Sequence, residues 1–210
     1  KRHDSLGGAE EMVRNAATLG IEAVADSSRL MVKVAVKNVS AGHHLPSGIT
    51  IRNMLLLVTA VTSNGDILTY TGTERVPEYG GVGSVEEGNF AGFPGRGFAL
   101  VFGDDEGNEQ VMDWQATHIV SDTRVPAQET DVSEYTFDMP PGSGKVEIQT
   151  RLIYRRAFKP LADEKKWEMT DLSVAEDTTV IDTSKRLSRA EQKKELSVGT
   201  LIRDFLAGML

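Results

Sequence analysis

Apolar residues recur at every second position through much of the chain, and this alternation predicts strands. In "RLMVKVAVKN", Leu30, Val32, Val34 and Val36 share one face, the pattern of a half-buried antiparallel strand, and "IEAVA" precedes it across the turn Asp26-Ser27-Ser28. The run from Met54 to Val58 is apolar without interruption and bounded by turn residues, which predicts a central strand covered on both faces. Ser63-Asn64-Gly65-Asp66 then reads as a hairpin turn into "ILTYTG". Further strands are expected in "FALVF", "VMDWQATHIV", "VSEYTFDM" (Tyr135, Phe137 and Met139 alternating) and "KVEIQTRLIYR" (Val146, Ile148, Leu152 and Tyr154 on one face), with "GDDEGNE" and "PPGSG" as turns. Short strands between Gly/Pro turns predict an all-β fold, an immunoglobulin-like antiparallel β-sandwich of roughly seven to nine strands.

The two ends of the chain depart from this period. "GGAEEMVRNAATLG" places Glu10 and Glu11 in a first turn, helix formers through Leu19 and Gly20 as a stop, so a short N-terminal helix is expected. From Ser188 onward, Leu196, Leu201, Phe205 and Leu206 recur at helical spacing and predict a C-terminal amphipathic helix. The expected organisation is a helical linker at 1–20, a sandwich domain at 21–182 and the amphipathic helix at 183–210. Between Thr73 and Gly97 no period is visible and glycine is frequent, the mark of a long irregular excursion with a binding or packing role.

Composition narrows the chemistry. A chain of 210 residues that is 40% hydrophobic can bury a sizeable core. Its net charge of −8, without a tight basic cluster, makes nucleic acid an unsuitable partner. With no cysteine, the chain has no disulfide, thiol nucleophile, zinc-thiolate site or iron–sulfur cluster, and no C-x-x-C-H attachment of a c-type haem. It begins Lys-Arg-His, without an initiator Met, a signal h-region or a membrane span, and is expected to be a piece of a larger protein.

Four histidines, His3, His43, His44 and His118, are then the candidates for proton or metal chemistry. Adjacent His43 and His44 point to opposite faces if extended, so one of them at most serves a given site. The turn they occupy, "SAGHHLPSG", allows two roles for His43, a cap on local backbone or a ligand, while His44 is incidental. His118, in a strand-like run, is expected to be a packed or edge histidine. Ser47 lacks the G-x-S-x-G turn of a serine nucleophile, "GDDEGNE" lacks the register of a calcium loop, and the Gly-rich segment does not open a helix as a phosphate cradle would. No catalytic set remains, and the chain is expected not to be an enzyme.

The run "VKVAVKNVSAGHHLPSGITIRNMLLLVTAVTSNGDIL" resembles a pattern, V-x-N-x-x-A-G-H-x-L-P-[TS]-G followed by R, L-x-V and a D/N-G turn, of the C-terminal β-sandwich of multihaem c-type cytochromes. "SDTRVPAQETDVSEYTFDMPP" and "KVEIQTRLIYRR" are similar to that family's later segments, and "RHDSLGGAEEMVRNAATLGIEA" to its link with the haem-bearing part. The resemblance implies an accessory domain of a periplasmic or extracellular electron-transfer protein. It would position or shield a haem module, with haem c carried in a region before Lys1. It also implies His43 and His3 as candidate axial haem ligands, and as partners the haem-bearing region of the same polypeptide, a redox protein and further copies of the chain. The alternative is a stand-alone extracytoplasmic module that binds a metal ion or small ligand through His43 and the Gly-rich loop 73–97.

Overall fold

A computed structural model of the chain describes residues 11–183. Among the described residues a helical turn at 11–14 is followed by ten strands and a helix: β1 (Ala17–Ala25), β2 (Arg29–Asn38), β3 (Asn53–Thr62), β4 (Thr69–Tyr70), β5 (Gly95–Phe98), β6 (Leu100–Gly103), β7 (His118–Asp122), β8 (Thr130–Asp138), β9 (Lys145–Arg155), α1 (Lys159–Glu164) and β10 (Leu172–Asp182). β1, β2, β8 and β4 form one sheet in that order, β10, β9, β3 and β5 form a second, and β6 pairs with β7 as a separate ribbon. Every ladder is antiparallel. The chain is an all-β sandwich.

Alternation builds the layer between the two sheets. Leu30, Val32, Val34 and Val36 of β2 with Tyr135 and Phe137 of β8 face Met54, Leu56, Val58 and Ala60 of β3 with Val146, Ile148 and Leu152 of β9. Burying side chains of this size stabilises by about 1.5–3 kcal/mol each before conformational entropy is counted.

The uninterrupted apolar run in β3 has a second cause. Leu55 of β3 and Ile153 of β9 point to the outer face of their sheet, where a smaller core covers them with Val76, Tyr79, Val101, Ala157, Phe158 and Ala162. Part of that cover is the Gly-rich segment, which holds 3-10 turns at Glu78–Gly80 and Val85–Glu87 and ends in β5. Through Val76 and Tyr79 it packs on the sheet.

Three expectations change. The N-terminal helix is seen at 11–14 and has ended before Ala17, because 17–20 pair with β2 in the register Ala17↔Asn38 to Gly20↔Ala35; the ladder overrides local helix propensity. "VMDWQATHIV" is strand only from His118. The charged region after Tyr154 contains β10, whose half-buried positions include Asp177 and Thr179, so no apolar period marks it. The C-terminal amphipathic helix lies outside the described residues. Among them, no helix is long and apolar enough to cross a membrane.

Candidate functional site

The loop 39–52 joins the two sheets at one end of the sandwich, and a single buried side chain organises it. Asn38, the last residue of β2, has no solvent exposure. Its amide nitrogen donates to the carbonyls of His43 (2.8 Å), Val125 (3.2 Å) and Pro126 (3.0 Å), and its carbonyl oxygen accepts from Ala41 N–H (3.2 Å). Beside it, Leu45 and Val125 exchange main-chain hydrogen bonds, 2.8 Å in each direction. The segments "NVSAGHHLPSG" and "TRVPAQ", far apart in sequence, thus form one continuous surface. Asn38 caps much of the turn in which His43 stands.

His43 is exposed, and its Nδ1 lies 3.0 Å from the His44 carbonyl oxygen. If Nδ1 donates there, the proton is fixed on that nitrogen and Nε2 keeps its lone pair towards solvent, the arrangement of many metal-bound imidazoles. His44, also exposed, lies near Asp122. Asp122 is held by both Nε (2.8 Å) and Nη2 (2.7 Å) of Arg124, and these bonds, with smaller contributions from backbone and from His44, lower its pKa. Arg52 donates from Nη1 to the Ser47 carbonyl (3.1 Å). Gly48, at φ +88°, leaves room for that guanidinium, since a Cβ there would stand 2.5 Å from Arg52 Nη1. Thr50 donates its hydroxyl to the Asp113 carboxylate. Ser47, Thr50, Arg52, Leu100 and Arg124 border a shallow notch.

The other candidates fall elsewhere. His118 is an exposed edge residue of β7, its Nδ1 3.2 Å from the Thr117 hydroxyl. His3 lies outside the described residues. The chain reaches β1 at this same end, however, where Val39 N–H donates to the Ala16 carbonyl (3.1 Å) and the Ser40 hydroxyl to that of Asn15. In the acidic turn, Asp104 accepts from the Glu106 and Asn108 amides (3.0 and 2.9 Å), a solvated turn as expected. Among the described residues no three His, Cys, Asp or Glu side chains are grouped to hold a metal ion.

Two polar constructions were missed by sequence reasoning. Arg155, 1% exposed, forms two bonds to Asp171 (2.7 and 2.8 Å) and donates to the carbonyls of Gly80 (2.7 Å) and Gly88 (2.6 Å), with its guanidinium 5.1 Å from the Phe90 ring. The Gly-rich segment is therefore pinned through Arg155, and its polar contacts do not run to His43. The signal was an arginine closing the apolar strand "LIYR". On the opposite side, Arg96 of β5 pairs with Asp131 of β8 (3.1 Å) and with Glu74 (3.2 Å), linking the sheets; burial raises the Asp131 pKa against the pull of Arg96.

No protein-family model matches the chain, and no curated protein matches it. Among solved structures there is a match. The chain is similar to a penta-heme cytochrome c552 from Thermochromatium tepidum, at 21% identity and a TM-score of 0.62, over 82% of this chain and 41% of that one. At this identity the likeness shows the fold alone. The chain spans about two fifths of that cytochrome's length, and with no cysteine it holds no covalent haem c of its own.

Proposed function

We propose that the chain is a non-catalytic accessory domain of an extracytoplasmic multihaem c-type cytochrome, which positions or shields a haem module and docks its partners. The observation that carries the reading is the shared fold with part of a five-haem cytochrome. Two features support it. The strand orders β1-β2-β8-β4 and β10-β9-β3-β5 build a two-sheet sandwich, a scaffold that presents loops at its ends. The two segments that resemble the cytochrome pattern also meet at one of those ends, joined by Asn38.

An axial-ligand role for His43 is supported by its chemistry: the ring is exposed, and when Nδ1 donates to the His44 carbonyl, Nε2 keeps its lone pair. Haem iron bound there would supply the electron transfer. This chain would supply the imidazole and hold its orientation. His3, the second candidate, lies outside the described residues.

The test is to purify the native polypeptide that contains this sequence and assay covalent haem by its pyridine haemochrome spectrum. Several haems per chain are expected; a polypeptide without haem overturns the reading.

A further inference from the structure

We infer that the end of the sandwich formed by loop 39–52 and the β6–β7 ribbon is the face that seats the haem-bearing part of the polypeptide, with Trp114 and Ile49 as apolar contacts and Arg52 meeting a haem propionate. This rests on the function proposed above and adds the surface and its chemistry.

Apolar side chains are gathered here at the surface. Trp114 is 77% exposed, Ile119 59% and Ile49 43%. Three links tie their segments together. The Thr50 hydroxyl bonds to Asp113, which ties the segment that carries Ile49 to the one that carries Trp114. Leu100 shares the notch with Ile49, Thr50, Arg52 and Arg124. Cross-strand pairing sets Ile119 opposite Phe102, which shares a face of the ribbon with Leu100. An exposed tryptophan with isoleucines at its side and arginines at the rim has the composition of a contact surface.

Charge and connectivity select the occupant. Asp122 is taken by Arg124 and Asp113 by Thr50, whereas Arg52 makes its bond to a main-chain carbonyl and has no carboxylate partner among the described residues. A haem edge offers what this surface lacks, an apolar rim beside propionate carboxylates, and guanidinium–carboxylate pairing is strong and directional. The residues just before β1 are bonded to Val39 and Ser40, so the chain enters the sandwich where loop 39–52 begins.

The two tryptophans make the inference testable. Trp167, half exposed, follows α1 and lies outside the proposed face, so it serves as an internal control. Hydroxyl-radical footprinting is run on the isolated 210-residue chain and on the native haem-bearing polypeptide. The expected result is that Trp114 is oxidised several-fold more slowly in the haem polypeptide, with Trp167 unchanged. Equal Trp114 reactivity in the two, or protection of Trp167 alone, overturns the face while haem content still upholds the function. Trp114 protection that grows with concentration in the isolated chain assigns the face to a second copy and overturns it as well. In the haem polypeptide, Arg52→Ala is expected to lower the midpoint potential of one haem, because a positive charge that favours the reduced state is lost. Lys33→Ala, on the outer face of the first sheet, is expected to leave every potential in place. Unchanged potentials with Arg52→Ala overturn the propionate contact.

Discussion

The amide nitrogen of Asn38 lies 3.2 Å from the carbonyl oxygen of Val125, 87 positions away in the chain. That contact joins the end of β2 to the loop before β8, and the same nitrogen also holds His43 and Pro126. One buried amide thereby shapes the surface on which the proposed function depends.

Replacing Asn38 by Ala strips the partner from the His43 carbonyl and from Ala41 N–H, while the Val125 and Pro126 carbonyls keep the Leu45 and Glu129 amides. Unpaired buried polar groups cost about 1–3 kcal/mol each, and some of these can reach water once the loop loosens. A loss of about 3 kcal/mol is expected in urea unfolding of the chain. Asn38→Asp should be worse, since it turns a carboxylate towards three carbonyl oxygens. A loss below about 1 kcal/mol, no more than one ordinary hydrogen bond, would mean that the loop is held by other contacts.

Arg155 sets a second expectation. Truncating one member of a buried ion pair costs about 3–5 kcal/mol because the other is left uncompensated, and Arg155→Ala should fall in that range. Arg155→Lys should recover little, as one ammonium cannot reproduce the fork that serves Asp171, Gly80 and Gly88 together. The local sign is faster amide exchange across 78–93. If exchange there is unchanged, the Gly-rich segment is held by the Tyr79–Phe158 contact instead.

The sandwich was legible because β2, β3, β8 and β9 carry their core residues at every second position, and period two has one interpretation. β10 was not, since its half-buried positions include Asp177 and Thr179 and it packs near an edge. The site was half legible. Residue types placed His43 in a turn between strands, yet Asn38 reads as an ordinary strand end, and its role depends on the loop at 125–126, which only the folded chain brings near. Arg155 was hidden for a related reason: a buried charge is legible only with its partners, and Gly80, Gly88 and Asp171 are remote in sequence.

Two carboxylates should pull the acid stability profile in opposite directions. Arg124 holds Asp122 below its ordinary value of 3.8, so its stabilisation is present above that pH and is lost as pH falls through the folded value. Burial holds Asp131 above 3.8; its protonated form is favoured in the fold, so that stability is full below 3.8 and is lost as pH rises through the raised value. Asp122→Asn should flatten the fall in stability below pH 4, and Asp131→Asn the decline on the other side of it. Urea titrations across pH 2–7 read both slopes. Variants that shift the curves without changing these slopes would remove the two groups from the account.

His43 separates structure from function most cleanly. Its ring is exposed and makes one contact, to the neighbouring His44 carbonyl, so the backbone it could cap is already served by Asn38. His43→Ala should therefore change the stability of the isolated chain by no more than about 0.5 kcal/mol, the usual scale for an exposed side chain. In the haem-bearing polypeptide the same substitution should remove a nitrogen donor from iron, and with it alter the absorption spectrum and potential of one haem, since the axial ligand sets both. His44→Ala should leave the spectrum as it was. A large loss of stability in the isolated chain would return His43 to a structural role, and a spectrum indifferent to both substitutions would take the imidazole of this turn out of haem ligation.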